Sequence, residues 1–325
     1  ALVALVLGRR ADRIAAAVSA VAVVATGVVL VQVEWTRPRG TELTVALVQG
    51  AVPQSMKWAP GQREKTLALY AGLTEAHFGS DIIVWPEAAL PALERDLREF
   101  LDDLHAAARA RGSDVIMGLL RRDPATGEFY NAMAAFADTE QWYYKRRLVP
   151  FGEFFPVPAT VRDWMRLMNL PYSDFAAGAA EQAPLEAGGE TLAPTICYED
   201  AYASEQLALA RRASLLVNVT NDAWFGDSTA PHQHLDISRM RSLETGRPML
   251  RATNDGVTAL IAHDGTLLGT LPQFEPGVLT GTVAPREGST PYLRFGNWPV
   301  LVLSLLAVAL GLAWPRRRAP AGEAR

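Results

Sequence analysis

The 325-residue chain holds one cysteine, Cys197, so no internal disulfide can form and the folded part has to rest on its apolar core. It lacks any excess of positive charge: 31 Lys and Arg stand against 35 Asp and Glu, a balance that gives no reason to expect nucleic acid as a partner. There is no G-x-S-x-G elbow for a serine hydrolase and no G-x-G-x-x-G for a dinucleotide. Metal-ligand clusters are missing too. His232 and His234 form a lone pair on a polar stretch without Cys or carboxylate company, and are expected to be surface residues; no metal or cofactor is called for. Charge is also missing locally, from Ile14 to Val33 and from Trp298 to Trp314.

Those two runs carry the first positive inference. About 20 apolar residues suffice to cross a bilayer, and Trp298 and Trp314 sit where interfacial aromatics belong. A buried core helix or, for the first run, a signal peptide would share the composition, but Ile14–Val33 continues into Glu34-Trp-Thr-Arg without a small-residue cleavage site. The expected organisation is the end of a further membrane helix and a cytoplasmic loop over 1–13, and a transmembrane helix over 14–33. A periplasmic domain over 34–296, a second transmembrane helix over 297–314 and a cytoplasmic tail over 315–325 complete it. Arg9, Arg10, Arg13 and Arg316 to Arg318 place both outer ends on the cytoplasmic side, with Arg37, Arg39 and Arg294 weakening the asymmetry. Ala1 to Leu7, apolar and not beginning with Met, reads as the tail of a preceding helix, so the chain reads as a fragment.

Between the runs, strand and helix patterns alternate: strands over 43–49, 81–85, 114–120, 130–137 and 141–145, helices over 62–78 and 92–111, then a second round after Cys197. That round has a helix over 201–212, strands over 214–220, 249–253, 257–263 and 278–283, and a helix over 234–245. Two layered halves predict an α/β fold in which two sheets pack face to face with helices outside, an α-β-β-α sandwich.

Three strand ends carry chemistry. Ile82-Ile-Val-Trp-Pro-Glu87 places a carboxylate after a β-branched run, Trp142-Tyr-Tyr-Lys145 places an ammonium, and Pro194-Thr-Ile-Cys197 delivers the thiol to a polar turn. Groups at the carboxyl ends of neighbouring strands converge on one crevice, and Glu, Lys and Cys together make a nucleophile with a base and a cation. Each alone has a plainer reading. A single thiol is commonly a small buried hydrophobe, and Lys145 beside Arg146 and Arg147 resembles a solvated strand end.

Taken together, Leu47-Val-Gln-Gly-Ala-Val-Pro-Gln-Ser-Met-Lys-Trp58, Val84-Trp-Pro-Glu87, Tyr144-Lys-Arg-Arg-Leu-Val-Pro-Phe-Gly-Glu153, Ile196-Cys-Tyr-Glu-Asp200, Asn221-Asp-Ala-Trp-Phe-Gly226 and Arg239-Met-Arg-Ser-Leu-Glu-Thr-Gly-Arg-Pro248 resemble the bacterial apolipoprotein N-acyltransferases. That family is a membrane-embedded branch of the nitrilase superfamily. The resemblance implies a nitrilase-like fold flanked by transmembrane helices and a catalytic domain on the periplasmic side of the inner membrane, with more helices upstream. It implies Glu87 as general base, Lys145 as the oxyanion-stabilising cation and Cys197 as nucleophile. Glu153, Trp58, Tyr198 and Glu199 then lie near the substrate, although Trp58 also reads as a loop anchor and Glu199 as a helix cap.

The implied reaction is N-acylation of an S-diacylglyceryl cysteine at a lipoprotein N-terminus, with a phospholipid as acyl donor and a monomeric, membrane-held enzyme. A membrane-tethered amidase using the same residues, and a lipid-binding module without catalysis, are the alternatives. The stretch 151–175, rich in Phe, Trp, Met and Leu, reads equally as a lid or membrane-facing lip and as a long loop packed on the domain.

Overall fold

In β2 (Leu43–Gln49), Val45 and Leu47 enter one apolar cluster while Ala46 and Val48 enter another, so both faces of the strand are covered. β3 (Ile82–Val84) and β4 (Asp114–Arg122) behave alike, which explains their unbroken apolar runs in place of strict alternation. The computed structural model describes residues 6, 8, 10–158, 161 and 175–313. Before β2 come α1 (Arg10–Val31) and β1 (Thr36–Pro38); after it come a short α2 (Gln54–Lys57) and α3 (Gln62–Glu75). α4 (Arg98–Arg109) precedes β4, and β5 (Phe129–Phe136) and β6 (Glu140–Tyr144) follow it. The second half holds β7 (Leu185–Ala187), β8 (Glu190–Ile196), α5 (Ala203–Ala210), β9 (Leu215–Thr220), α6 (Ala230–Thr245) and β10 (Met249–Thr253). Next are β11 (Ala259–Ile261), β12 (Leu267–Thr270), β13 (Gly277–Val283), β14 (Arg286–Gly288), α7 (Pro291–Phe295) and α8 (Trp298–Ala313).

Two six-stranded sheets result, in the orders β13-β2-β3-β4-β5-β6 and β12-β11-β10-β9-β8-β7, and β1 pairs with β14 in a small third ribbon. The centre of each large sheet is parallel, β2-β3-β4 in one and β8-β9-β10 in the other, and the flanks are antiparallel. Val45, Val84 and Ile116 from one sheet meet Leu192, Val217 and Leu250 from the other in the central cluster. Tyr70 of α3 and Leu101 and Leu104 of α4 cover the outer face of the first sheet, and α5 and α6 lie on the second. The α-β-β-α sandwich expected from the sequence is therefore observed.

Several boundaries differ, each for a local reason. The expected 92–111 helix becomes a 3-10 turn, Glu94–Leu97, followed by α4, because Leu93 is extended and bridges Leu120. The expected 201–212 helix is a 3-10 turn, Cys197–Ala201, followed by α5. β12 and the β1-β14 ribbon have no clear sequence signal, since β12 is largely solvent-facing and takes its place from β11.

α1 is long and apolar enough to cross a membrane, and α8 is a shorter apolar helix. Val21, Val24, Leu303 and Leu306 are exposed around these helices, as in segments whose partner is lipid rather than core. Residues 159–160 and 162–174 of the expected lid, including Trp164, Met165, Leu167, Met168, Leu170 and Tyr172, lie outside the described residues, as does the tail 315–325.

Candidate active site

All three chemical side chains sit just beyond strand ends on the same edge of the sandwich, Glu87 after β3, Lys145 after β6 and Cys197 after β8. Lys145 is 1% exposed, and its Nζ donates to Glu87 Oε1 at 2.9 Å and to Glu153 Oε1 at 2.9 Å. Asn131 on β5 donates from one nitrogen to the same two oxygens, at 2.6 and 2.7 Å. Two carboxylates thus share one ammonium and one amide. The second oxygen of Glu87 accepts the backbone N–H of Asn221, from the opposite sheet, at 2.9 Å, and that of Glu153 accepts the N–H of Val149 at 2.8 Å.

Close packing fixes Glu87 from behind. A Cβ on Gly118 would come within 2.5 Å of Glu87 Cα, and Ala89 N–H donates to the Gly118 carbonyl. Gly118→Ala is therefore expected to push Glu87 off its partners. A roughly tenfold to hundredfold slower modification of Cys197 should follow, with a stability cost of about 1–3 kcal/mol. Parent-like rates of thiol alkylation would show that the backbone there can yield.

Cys197 has φ +54, in the left-handed region that a residue with a Cβ seldom adopts. Four of the five such non-glycine residues among those described, Ala51, Ala88, Phe151 and Cys197, adjoin the expected site residues or the loop before Trp58. Asn218 Nδ2 donates to the Cys197 carbonyl at 3.1 Å, holding the turn. The N–H of Tyr198 lies in the first turn of the 3-10 segment and so has no intrahelical acceptor. Burial pushes the thiol well above its ordinary range, Glu87 and Asp222 adding to the rise and Lys145 opposing it. Lys145 does favour the thiolate, but desolvation and two carboxylates outweigh this one ammonium. For Lys145 itself burial works downward, but the charges of Glu87 and Glu153 and the hydrogen bond to Glu87 leave it raised.

Glu199 is fully buried beneath the turn. Its oxygens accept N–H groups of Ile196 at 2.9 Å, Arg146 at 2.7 Å and Arg147 at 3.1 Å, and the hydroxyl of Tyr143 at 3.0 Å. It joins the elbow to the segment carrying Lys145. Tyr198 is half-buried and donates to the Leu148 carbonyl at 2.8 Å. Trp58 is 57% exposed on the loop after α2, and Trp224, Phe225 and Phe151 are exposed as well.

Behind the elbow lies a charged layer that the sequence did not reveal. His234, expected on the surface, is buried with its ring nitrogens 2.9 Å from Asp222 Oδ1 and 3.1 Å from Asp200 Oδ1; His232 is exposed as expected. Arg251, fully buried, donates to Asp222 at 3.1 Å, to Ser238 at 2.9 Å and to Asn218 at 2.7 Å. Burial and Arg251 pull the imidazole down, yet Asp200 and Asp222 prevail and raise it to about 9.

A histidine raised on folding stabilises fully below its unfolded value, and that contribution is lost as pH climbs through the folded one. Unfolding free energy is therefore expected to fall between about pH 6.5 and 9, by up to ~3 kcal/mol, and the thermal midpoint with it, with much less change in His234→Gln. Equal pH dependence in the two proteins would remove His234 as the cause. Asn131 and Arg251 were missed in the sequence and His234 was misplaced; the trace of the first two is a polar side chain inside each of the apolar runs 130–137 and 249–253.

Comparison with known proteins adds the following. Residues 44–292 match the carbon-nitrogen hydrolase family. The chain is 43% identical over 318 residues to the apolipoprotein N-acyltransferase of Methylococcus capsulatus, covering 98% of this chain and 62% of that protein. It is 45% identical over 299 residues to that of Azotobacter vinelandii, covering 91% and 58%. The chain thus spans about three-fifths of the length of these curated relatives.

Among solved structures it resembles a carbon-nitrogen hydrolase from Helicobacter pylori G27, with TM-score 0.55, 16% identity and coverage of 84% of this chain and 99% of that one. It also resembles the amidase of Nesterenkonia sp. AN1 bearing an acetamide moiety on its active-site cysteine, with TM-score 0.54, 20% identity and coverage of 82% and 98%. At such identities the likeness is one of fold.

Proposed function

The chain belongs to the carbon-nitrogen hydrolase family, and from that premise we propose that it transfers an acyl group from a phospholipid to the α-amine of an S-diacylglyceryl cysteine on a bacterial lipoprotein. Glu87 serves as general base, Lys145 as the cation facing the developing oxyanion and Cys197 as nucleophile. The observation that carries this reading is the meeting of Glu87 and Lys145 beside a cysteine held at positive φ, in a chain 43–45% identical to named acyltransferases. The amidase alternative uses the same three groups with water as acceptor, and its structural support is a likeness of fold alone.

The resting thiol sets the order of events. Sγ attacks the ester carbonyl while its proton passes to Glu87. Lys145 and the Tyr198 N–H receive the negative oxygen, a donor of this kind being worth about 3 kcal/mol of barrier. Collapse breaks the carbon–oxygen bond, and Glu87 returns the proton to the departing lysophospholipid. The acceptor amine then attacks the thioester, gives its proton to Glu87, and the carbon–sulfur bond breaks with the proton restored to sulfur.

We assign Glu153 to sharing Lys145 with Glu87 and Glu199 to holding the elbow, since its oxygens are taken up inside the protein. Trp58 and Tyr198 line the substrate. Exposed Trp58, Phe151, Trp224 and Phe225 offer an apolar surface to lipid chains, and α1 and α8 are the membrane helices that bring the domain to them. The basic residues outside these helices favour an inner-membrane enzyme with residues 34–296 on the periplasmic side. Intact mass of the full-length protein after incubation with phospholipid tests the reading: an added acyl mass, discharged by a diacylglyceryl peptide, is expected. Discharge by water but not by that peptide would favour the amidase.

A further inference from the structure

Glu87 and Cys197 follow strands of different sheets, β3 and β8, so a proton passes between them only while the two sheets hold those strand ends at a fixed separation. Glu87 is anchored to the opposite sheet by Asn221, whose N–H meets its Oε2 at 2.9 Å just after β9. Asn221 is followed by a 3-10 turn, Asp222–Trp224, and Cys197 begins another, Cys197–Ala201. One turn carries the nucleophile, and the other adjoins the contact that holds its base.

Two side-chain paths join these turns behind the site. In the first, His234 of α6 stands between them, with Nδ1 2.9 Å from Asp222 Oδ1 and Nε2 3.1 Å from Asp200 Oδ1. The second path runs across the sheet. Thr195, Asn218 and Arg251 are neighbours in register on β8, β9 and β10. Val217 and Val219 enter the apolar cluster, so strand alternation turns Asn218 the other way, toward α6. Arg251 donates to Asp222 Oδ2 at 3.1 Å and to Asn218 Oδ1 at 2.7 Å, and Asn218 Nδ2 donates to the Cys197 carbonyl at 3.1 Å. Ser238 closes the ring, accepting from Arg251 at 2.9 Å and donating to Asp200 Oδ2 at 2.5 Å. Asp222 has little room to shift, since a Cβ on Gly256 would come within 2.5 Å of its Oδ2.

Asp200, Asp222, His234 and Arg251 are all buried, and a buried charged cluster of this kind is no more stable than well-packed apolar side chains. What it supplies instead is direction. Apolar contacts tolerate sliding, whereas a closed ring of hydrogen bonds fixes the separation of the groups it joins.

We propose that His234 and Arg251 are positioning residues that set the distance between Cys197 and Glu87, His234 by clasping the two turns and Arg251 by acting through Asn218 on the Cys197 carbonyl. Their side-chain hydrogen bonds end on Asp200, Asp222, Asn218 and Ser238, so they act through these groups. The proposal rests on Glu87 being the base for Cys197, and not on the identity of the acyl donor. Its signature is coupling without contact: loosening the clasp harms the reaction only while Glu87 is there to be misplaced.

The test is the rate of Cys197 alkylation by iodoacetamide, followed by intact mass on the full-length protein in detergent, with kcat and KM for acyl transfer from phospholipid measured in parallel. The parent is compared with His234→Gln, Glu87→Gln and the double variant. His234→Gln is expected to slow alkylation roughly tenfold to hundredfold, the effect of a misplacement of about 1 Å. It should lower kcat by a similar factor and leave KM within about twofold of the parent. Glu87→Gln is slow by itself, and adding His234→Gln to it should cause no further loss. Asn218→Asp keeps an acceptor for Arg251 but removes the donor to the Cys197 carbonyl. It should show the same slowing and the same lack of further loss beside Glu87→Gln, and it carries the test if His234→Gln does not fold.

Parent-like or faster alkylation in these variants, at a thermal midpoint showing them folded, overturns the proposal. Losses that multiply in the double variant also overturn it, because they leave the buried layer a purely structural role. So does a rise in KM at unchanged kcat. A parent-like rate in Glu87→Gln alone removes Glu87 as the base and the clasp with it. If alkylation follows the expected pattern while no acyl adduct forms, the acyltransferase reading fails and the clasp stands.

Discussion

Cys197→Ala is expected to abolish the acyl adduct and to lower transfer by at least ~10⁴-fold, the scale of loss when a covalent nucleophile is removed. The reason lies in the geometry. Lys145, Asn131 and the Asn221 N–H are hydrogen-bond donors gathered on Glu87, so without sulfur no nucleophile remains among them to form a bond to the acyl carbon. The variant should fold. The turn is held by Asn218 on the Cys197 carbonyl and by Glu199 on the Ile196 N–H, and neither contact involves Sγ. Alanine also accepts φ +54 at a cost similar to that of cysteine. The measurement is intact mass and single-turnover transfer with a fluorescent phospholipid. An adduct of undiminished yield in Cys197→Ala would place the nucleophile elsewhere.

Lys145→Met should produce the second large effect, and in two separable parts. If Lys145 faces the oxyanion as proposed, its loss is expected to slow acylation by about 10²- to 10³-fold. Loss of the ammonium also leaves Glu87 and Glu153 confronting each other across Asn131, and breaking a buried charge cluster in this way costs about 3–5 kcal/mol. Adding Glu153→Gln to Lys145→Met should recover part of the stability and none of the activity. A single variant as stable as the parent at pH 8 would mean that the carboxylates find another partner.

How far these features were legible follows from particular residues. Glu87, Lys145 and Cys197 lie at strand ends that apolar runs mark, and Trp58, Glu153, Tyr198 and Glu199 sit in the motifs around them. Glu199 was legible as a group near the site but not as a bond between two segments, because its partners Tyr143, Arg146 and Arg147 lie more than fifty residues away in the chain. His234 was misread because a polar helical stretch looks solvated until Asp200 and Asp222 are known to lie against it.

From the order of residues alone come the strands buried on both faces, the two uncharged runs, and which side chains stand beyond which strand ends. Apolar periodicity records burial along a single segment, and that is local information. Stacking one sheet on the other settled the remainder: that Lys145 is divided between two carboxylates, that burial raises the Cys197 thiol, and that His234 lies in the interior between Asp200 and Asp222. Each of these depends on desolvation and on charges supplied by distant segments, and no window of sequence contains both the group and its surroundings.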